Sequence, residues 1–234
     1  MKIALFGYGK MGKTIERIAL ERGHEIIAKI DVDTEGYDIS TADVAIDFST
    51  PNSAFKNINE CFNKGIAIIS GTTGWLNKYN VVIENCKKNN GAFIYASNFS
   101  LGVNLFFELN AKLAKMMCNF KAYDIEMEEI HHTQKLDAPS GTAISLAEGI
   151  IENSEKENWS LIVTDSDKVI PIVAKRLENI PGTHTVKYRS NVDKIEIKHT
   201  ALNRDGFALG AIIAAEWLQG KKGVYSMKDV LGIN

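Results

Sequence analysis

The chain has 234 residues, of which 45% are hydrophobic and 24% are charged, and its formal charge at pH 7 is −2. This length suffices for one large or two modest hydrophobic cores. The near-neutral charge argues against a nucleic-acid-binding protein that uses a broad basic surface. No apolar run approaches the roughly 18 residues that a membrane span requires.

The start of the chain and its cysteines indicate the compartment. Glycines begin at Gly7, too early for the apolar region and cleavage site of a signal peptide. Cys61, Cys86 and Cys118 form no C-x-x-C pair, so we expect reduced thiols instead of disulfides or a zinc site. We therefore expect a cytoplasmic protein that binds neither nucleic acid nor membranes.

The first strand is followed by a glycine-rich loop and a helix. Residues 2–6 (KIALF) fit a buried strand, and residues 7–12 (GYGKMG) then give the spacing G-x-G-x-x-G. Gly7 would permit a tight turn, Gly9 the close approach of a pyrophosphate, and Gly12 close helix packing. Asp31 ends the next strand (EIIAKI), about 20 residues on, where an acid commonly binds ribose hydroxyls. The pattern predicts a dinucleotide site; the alternative is an ordinary glycine turn.

Short apolar strands alternate with helices up to about residue 98. The further strands are DVAIDF, IAIIS and AFIYA, with a helix that begins at Pro51 and another that ends near Lys88. Such alternation predicts a parallel, doubly wound sheet. The segment GTTG (residues 71–74) follows a strand at its carboxyl end, where ligands of open α/β sheets bind. Asn98, after the last of these strands, either caps the next helix or contacts the nicotinamide side of a cofactor.

The second half has a different pattern. Residues 101–117 predict one long helix, and AYDIEMEEIHH alternates as a strand does, with SLIVTD, THTVKYRS and KIEIKHTA as further strands. The apolar helix FALGAIIAAEWLQG would return to the first domain. The predicted fold is thus α/β: a Rossmann-type doubly wound parallel sheet from residues 1–98 and 207–234, and an α+β second domain with a mixed sheet from residues 99–206.

The segment EIHHTQKLDAPSGTA (residues 129–143) concentrates groups that carry protons. His131 and His132 end a strand and point to opposite sides of it, and Lys135 lies in the following loop. Pro139 places a helix start at residues 140–142, whose N–H groups would bind a carboxylate. Together these features suit a small anionic substrate that must gain a proton.

Each of these residues also has an ordinary interpretation. A histidine at a strand end is usually satisfied by a neighbour, and Lys135 would pair with Asp137 as a surface salt bridge. Zinc bound by His131 or His132 with His184 or His199 is a further alternative, but the spacing fits known zinc motifs poorly. We therefore predict no metal site.

The same segment resembles a family signature. HHTQKLDAPSGTA is similar to the pattern E-x-H-H-x-x-K-x-D-x-P-S-G-T-A of the 4-hydroxy-tetrahydrodipicolinate reductase (dihydrodipicolinate reductase) family of the bacterial lysine and diaminopimelate pathway. GYGKMG, GTTG, SNFSLGVN, GTHTV and HTALNRDGFALGA extend the resemblance over nearly the whole chain.

The resemblance implies an activity and its residues. The family uses NAD(P)H to reduce a small dicarboxylate with loss of water, and its members are typically homotetramers assembled through sheets of the second domain. His131 would be the proton donor, and Lys135 a second donor that steadies developing charge. The implied substrate-binding residues are His132, Ser140, Gly141 and Thr142. The implied cofactor-binding residues are Gly7, Tyr8, Gly9, Lys10, Met11, Gly12, Asp31, Gly71, Thr72, Thr73, Ala96, Ser97, Asn98 and Phe99.

The chain departs from the family pattern in three respects, and the roles of two further residues, Arg204 and His199, stay open. The chain is shorter than many members, and the segment before GTHTV is RLENIPGTHTV instead of glycine-rich. Val32 follows Asp31 where many members have arginine, which favours NADH, although Lys10 and Lys13 would let NADPH be used as well. Arg204 and His199 would either add charge to the site or, for the R-x-x-F pattern, anchor a domain interface.

Two rival functions are weighed. One is another reductase of similar architecture that acts on an amino-acid-like carboxylate, which would not require the complete HHxxKxDxPSGT run. The other is a non-catalytic nucleotide sensor, which the fold alone does not exclude but which would not need the proton carriers.

Overall fold

The computed structural model describes residues 1–162, 164 and 166–233, and it divides into two compact units. Unit 1 comprises Met1–Leu101 and Arg204–Asn234, and unit 2 comprises Gly102–Asn203. The sequence analysis placed the two boundaries between residues 98 and 99 and between residues 206 and 207. Among the described residues, no helix combines the length and apolar character needed to cross a membrane.

Unit 1 contains a parallel sheet of six strands in the order β11-β5-β4-β3-β1-β2. The strands are β1 Lys2–Phe6, β2 Glu25–Ile30, β3 Val44–Asp47, β4 Ala67–Ser70, β5 Ala92–Tyr95 and β11 Gly223–Tyr225. Its helices are α1 Lys10–Glu21, α2 Pro51–Asn63, α3 Tyr79–Lys88, α6 Asp205–Leu218 and α7 Met227–Leu231, with a 3₁₀ turn at Leu76–Lys78. The direction of strand order reverses between β1 and β3, and ligands of such sheets bind at this reversal, beyond the carboxyl ends.

Both faces of this sheet are covered by helices. Ile3 and Leu5 of β1 pack in a core with α1 and α6, whereas Ala4 and Phe6 point to the other face and pack with α2 and α3. Successive residues of a strand point to opposite faces, so a strand buried on both sides reads as a continuous apolar run. The Rossmann-type doubly wound sheet predicted from this pattern is confirmed.

Unit 2 contains a mixed sheet of five strands in the order β10-β9-β6-β8-β7. The strands are β6 Asp124–His131, β7 Asn158–Ser160, β8 Val169–Arg176, β9 Gly182–Arg189 and β10 Lys194–Ala201. β6 is antiparallel to β9 and parallel to β8, which makes the sheet mixed as predicted. The helices that accompany this sheet in the described part of the chain are α4 Leu101–Met117 and α5 Gly141–Ile151.

One face of the unit 2 sheet forms its core. Ile125 and Met127 of β6 point to this face and share a cluster with Leu146 and Ile150 of α5. The alternate residues Glu126 and Glu128 point to the other face, where they are exposed or half-buried. By the same alternation, Glu129 and His131 continue the buried row, so polar groups replace apolar ones towards the end of the strand.

The prediction of a strand over SLIVTD was wrong. The observed strand β7 ends at Ser160, Leu161 and Ile162 follow in a bend, and Val163 and Asp165 lie outside the described residues. The sequence analysis made no prediction for β8, whose apolar run contains a proline, a residue uncommon inside strands. Pro171 is accommodated opposite Ser160, the last residue of the short β7.

Candidate active site

The glycine loop of unit 1 has the geometry of an anion-binding turn. Gly7 has a φ of +89°, and an added Cβ would lie 2.1 Å from the carbonyl oxygen of Phe48. A Cβ on Gly12 would lie 2.2 Å from the carbonyl oxygen of Gly7, so α1 packs directly on the loop. Gly9 is the N-cap of α1, and nothing lies within 4 Å of a Cβ added there. The loop has no room for a side chain at Gly7 and Gly12, where it packs against other backbone. It is open at Gly9, and there the free N–H groups of the helix N-terminus favour a phosphate.

A cavity of about 500 Å³ opens beside this loop in unit 1. Gly7, Gly9 and Asp31 line it, together with Thr34 and Lys56. The Asp31 carboxylate accepts a hydrogen bond from the N–H of Val32, and Thr34 Oγ1 accepts one from the N–H of Asp31. The residues present therefore fit the adenosine half of a dinucleotide, with an acid at the ribose position.

Tyr8, in the same loop, contacts side chains of α1 and β2. Its hydroxyl donates to Glu16, whose pKa is lowered by hydrogen bonds from Lys29 and Tyr8 and by the charge of Lys29. Lys13 Nζ lies 5.9 Å from the centre of the Tyr8 ring. Of the remaining predicted cofactor residues, Lys10 is exposed, and Met11 is half-buried against the core of the unit.

The loop after β4 is fixed by a buried carboxylate, Asp47. This residue is 0% exposed and accepts hydrogen bonds from neutral groups only: Ser49 Oγ at 2.5 Å, Ser70 Oγ and Thr72 Oγ1 at 2.8 Å, and Asn57 Nδ2 at 3.1 Å. The Thr72 hydroxyl also accepts from the N–H of Ser49. Thr72 is thus used internally, while its neighbour Thr73 is exposed and Gly71 packs on the Phe48 ring.

The segment after β5 was predicted to touch the cofactor. Ala96 and Asn98 are half-buried and Ser97 is exposed, but the Phe99 side chain is 1% exposed and packs in the core. Any contact of Phe99 with a cofactor must therefore use its backbone. Asn98 Oδ1 accepts from the N–H of Ser100 at 2.9 Å, so it forms a turn ahead of α4.

In unit 2, strand pairing assembles the titratable groups. Glu129 lies directly opposite His184 across the antiparallel pair β6–β9, and His131 lies opposite Arg176 across the parallel pair β6–β8. Glu129, His131 and His184 are all buried. The ring centres of the two histidines are 5.0 Å apart. The sequence predicted His131 in a site; the structure adds Glu129 and Arg176, and brings in His184.

Glu129 lies at the centre of this cluster. Its Oε1 accepts two hydrogen bonds from the Arg176 guanidinium, both at 3.2 Å. Its Oε2 accepts one from the N–H of Ser140 at 2.9 Å and lies 3.6 Å from His131 Nδ1 and 3.8 Å from His184 Nε2. Burial opposes ionisation, but hydrogen bonds from Ser140, the charge that His131 carries when protonated and hydrogen bonds from Arg176 outweigh it, so the pKa of Glu129 is lowered. Glu129 is therefore a buried carboxylate that stays charged.

The loop that carries Lys135 is held by the same arginine. Arg176 donates to the carbonyl oxygens of Lys135 at 3.2 Å and of Asp137 at 2.6 Å. The salt bridge that the ordinary interpretation of Lys135 gave is present: Lys135 Nζ lies 2.8 Å from both carboxylate oxygens of Asp137. Lys135 lowers the pKa of Asp137, chiefly through this hydrogen bond. The lysine is thus presented as a cation on a fixed loop.

Helix α5 begins where the sequence predicted. Ser140 is its N-cap, and the Oγ accepts from the N–H of Ala143 at 3.2 Å while lying 3.0 Å from His184 Nε2. Gly141 is the first helical residue and is exposed, with nothing within 4 Å of an added Cβ; Thr142 follows. The N-terminus of α5 therefore opens to solvent beside the buried cluster, and its dipole favours a carboxylate.

Burial disfavours the charged form of both histidines in the cluster. Desolvation lowers the pKa of His131; Glu129 opposes this, while the cationic Lys135 and Arg176 add to it. Desolvation, with a contribution from His131, lowers the pKa of His184 to about 4. His132 is half-buried at the strand end, and His199 lies on β10 opposite His184, outside the cluster. Arg204, the other lesser candidate, belongs to unit 1 as the N-cap of α6.

Three atoms of this cluster have the spacing of metal ligands. One atom each from Glu129, His131 and His184 lies within 4.8 Å of the others. However, the Arg176 cation is hydrogen-bonded to the same carboxylate, and the second carboxylate oxygen already accepts an N–H. Because a neighbouring cation repels a metal ion, we do not assign a metal to this cluster.

Sequence reasoning missed Glu129 and Arg176 for different reasons. Glu129 was visible, since residues i and i+2 of a strand share a face and Glu129 precedes His131 by two. Arg176 was not, because its strand was not predicted and its partners are distant in sequence.

Comparison with known proteins connects this geometry to a family. The model described as "Dihydrodipicolinate reductase, N-terminus" matches residues 1–99, and that described as "Dihydrodipicolinate reductase, C-terminus" matches residues 102–231. The 4-hydroxy-tetrahydrodipicolinate reductase of Christiangramia forsetii is 60% identical over 99% of this chain and 98% of its own length. That of Thermosipho africanus is 38% identical over the same shares.

A solved structure shares the fold. Dipicolinate-bound dihydrodipicolinate reductase from Paenisporosarcina sp. TG-14 superposes with a TM-score of 0.76 at 23% identity and covers 97% of each chain. Together the two family models match both units, and the 60% identical relative matches 99% of the chain. The chain therefore belongs to the dihydrodipicolinate reductase family.

Proposed function

We propose that the chain catalyses the NAD(P)H-dependent reduction of 4-hydroxy-tetrahydrodipicolinate to tetrahydrodipicolinate, with loss of water, in diaminopimelate and lysine biosynthesis. The names of the 60% and 38% identical relatives support this reaction. The observation that carries it is the arrangement in unit 2, where a buried histidine, a cationic lysine and an open helix N-terminus lie on neighbouring elements.

The cofactor is bound by unit 1. Gly7 and Gly9 shape the phosphate turn at the start of α1, and Asp31 takes the ribose hydroxyls. When bound, NAD(P)H supplies the hydride. NADH is the preferred cofactor, because the side chain after Asp31 is Val32, 83% exposed, which offers no charge to a 2′-phosphate. Lys56 in the same cavity and the exposed Lys10 are cations that would permit use of NADPH.

The dicarboxylate substrate is bound by unit 2. One carboxylate binds at the N-terminus of α5, at Ser140, Gly141 and Thr142, where the helix dipole favours negative charge. His132 contacts the substrate from the strand end. A related structure described as dipicolinate-bound supports a ligand of this chemistry.

His131 and Lys135 supply the protons. Hydride addition to a conjugated imine leaves an enamine-like carbon that must be protonated, and His131 donates this proton. The fixed Lys135 ammonium is the second donor and steadies the negative charge that develops. A positioned general acid contributes about 100- to 10,000-fold in rate.

The assembly we propose is a cytoplasmic homotetramer formed through the sheets of unit 2. The family resemblance supports it, and so does β10, an edge strand whose residues Lys194–Ala201 are mostly exposed. Light scattering on the purified protein tests it: a monomer at micromolar concentration would contradict the proposal.

The reaction is tested by NADH oxidation, with substrate generated in situ from pyruvate and aspartate semialdehyde by the preceding synthase. NADPH is run in parallel, and EDTA is added in a third series. We expect oxidation that depends on the synthase, is faster with NADH, and is unchanged by EDTA. No turnover with either cofactor, in protein shown separately to bind NADH, would disprove the proposed reaction and favour the nucleotide sensor.

A further inference from the structure

Glu129 is a buried charge that the proposed mechanism does not use. Its side chain is 0% exposed on the core face of β6, on the row that begins with Ile125 and Met127. An unpaired carboxylate in such a position is strongly unfavourable. A residue held there against desolvation has either a structural role or a role in the chemistry next to it.

The contacts of Glu129 lead directly to the proton donor. Its Oε2 lies 3.6 Å from His131 Nδ1, and that nitrogen has no hydrogen-bond partner among the described residues. The separation exceeds the usual 2.7–3.2 Å or so of a hydrogen bond, but those of catalytic groups are often long before substrate binds. The acceptor nearest to hand for a proton on Nδ1, among the contacts of the described residues, is this carboxylate.

The other ring nitrogen of His131 faces Gly182. A Cβ added to Gly182 would lie 3.2 Å from His131 Nε2 and 3.3 Å from Cδ2. The absence of a side chain at this position therefore keeps the space beside Nε2 open. Nδ1 lies near a fixed carboxylate, whereas Nε2 lies beside a glycine that has no side chain to cover it. The two nitrogens therefore have different surroundings, and we assign them different roles.

We propose that Glu129 is a positioning residue, which holds the ring of His131 with Nδ1–H towards its own Oε2. Nε2 is then the nitrogen that takes up a proton from solvent and, from the resulting imidazolium, delivers it to the substrate. This inference rests on the proposed function only for the identity of the proton acceptor. The same oxygen accepts the N–H of Ser140, so one carboxylate ties the proton donor to the carboxylate-binding end of α5.

An amide at position 129 cannot reproduce the hydrogen bonds that the two carboxylate oxygens of Glu129 accept. Oε1 accepts from the Arg176 guanidinium and Oε2 from the N–H of Ser140, so both positions face donors. In Glu129→Gln the amide NH₂ must face one of these donors whichever way it turns. The variant also removes the negative charge that favours the imidazolium form of His131.

The charged groups around His131 come from four elements. They are Glu129 on β6, Lys135 and Asp137 in the following loop, Arg176 on β8 and His184 on β9. Glu129 and Asp137 favour the protonated ring, and Lys135 and Arg176 oppose it. Loss of Glu129 leaves the cations in excess, so the proton of His131 is lost at a lower pH.

The first test is the tautomer of His131 in the wild-type protein, read from ¹⁵N-histidine NMR spectra above the pH at which the ring titrates, with His131→Asn for assignment. Neutral histidine free in water favours the Nε2–H form. We expect the Nδ1–H form, whereas the Nε2–H form would overturn the inference even in an active enzyme. Because this measurement needs no turnover, its failure is distinct from failure of the proposed reaction.

The second test is the pH dependence of kcat for Glu129→Gln, with Glu126→Gln as the matched control. Glu126 lies on the same strand but points to the other face, where its side chain is 49% exposed. We expect kcat to fall about tenfold or more, and the alkaline limb to move about one pH unit lower, since a nearby opposite charge shifts a pKa by roughly that much or more. A lower kcat with an unmoved limb would assign Glu129 a purely structural role. The control keeps the wild-type profile, and if Glu129→Gln does not fold, the tautomer decides.

Discussion

Among the residues that the structure describes, each unit buries one carboxylate completely, and the two are held in opposite ways. Asp47 in unit 1 accepts hydrogen bonds from three hydroxyls and one amide, all neutral. Glu129 in unit 2 accepts from a guanidinium and a backbone N–H and lies beside two histidines. Both satisfy the requirement that a buried charge be hydrogen-bonded, but only one does so with groups that exchange protons near neutral pH.

This difference in partners gives the two carboxylates different roles: Asp47 supports the structure, whereas Glu129 belongs to the proposed active site. The partners of Asp47 are Ser49 and Thr72 in the loops after β3 and β4, Ser70 at the end of β4 and Asn57 in α2, and none of these groups titrates near neutral pH. Their hydrogen bonds therefore fix the shape of the two loops. The partners of Glu129 include the proposed proton donor and the N-cap of the substrate helix. We therefore expect changes at Asp47 to alter stability, and changes around Glu129 to alter chemistry and its pH dependence.

The largest expected effect is that of His131→Gln. Glutamine keeps polarity at the position but carries no transferable proton near neutral pH, so kcat should fall about 100- to 10,000-fold. NADH affinity, measured by fluorescence titration, should stay unchanged, because NADH is proposed to bind unit 1. Turnover within a fewfold of wild type would remove His131 from the mechanism, and a loss of NADH binding would show that the substitution disturbs more than unit 2.

Asp47→Ala should lower stability by about 3 kcal/mol, since it leaves buried donors such as the Ser70 hydroxyl without an acceptor. Chemical denaturation measures this, and the KM for NADH should rise because Thr72 loses its partner. The alkaline limb of kcat should not move. A shift like that expected for Glu129→Gln would erase the contrast between the two carboxylates.

Stability should fall when the pH drops from 6.5 to 5. The folded state lowers the pKa of His184 from 6.5 to about 4 through burial, so in this interval the unfolded chain binds a proton that the folded chain does not. Folding stability therefore rises with pH there, and the loss on acidification to pH 5 is about 2 kcal/mol.

Denaturant titrations at several pH values measure this loss, and His184→Gln supplies the matched variant. Its stability should depend less on pH over the same interval, whatever its absolute value. An equal slope in the two proteins would mean that His184 is not the group responsible. The lowered pKa of Glu129 acts in the same direction at lower pH, where its protonation removes the contribution of the charged form.

The smallest effect concerns cofactor preference. Val32 is 83% exposed and lines the same cavity as Asp31, so Val32→Arg places a cation where a 2′-phosphate would lie. The ratio of kcat/KM for NADPH over NADH should rise about tenfold, the worth of one partly exposed charge-assisted contact. The matched control is Val192→Arg, because Val192 is 89% exposed in unit 2. An equal rise in the control would indicate a general effect of charge.

The sequence by itself determined most of the architecture. Periodicity and turn residues predicted β2, α4 and β10 with the bounds observed, because these elements are long or follow one clear pattern. The glycine spacing predicted the loop after β1, since only residues without a side chain tolerate its close contacts. His131, Lys135 and the start of α5 were visible because they are neighbours in one short segment.

Tertiary structure alone decided which groups surround the proposed proton donor. His184 and Arg176 reach Glu129 and His131 through strand register, one across an antiparallel pair and one across a parallel pair. A one-residue slip in either pairing would turn these side chains to the other face. Spacing along the chain carries no record of register between distant strands. The sequence thus indicates the proposed proton donor, and the pairing of β6 with β8 and β9 brings the groups of Glu129, Arg176 and His184 together around it.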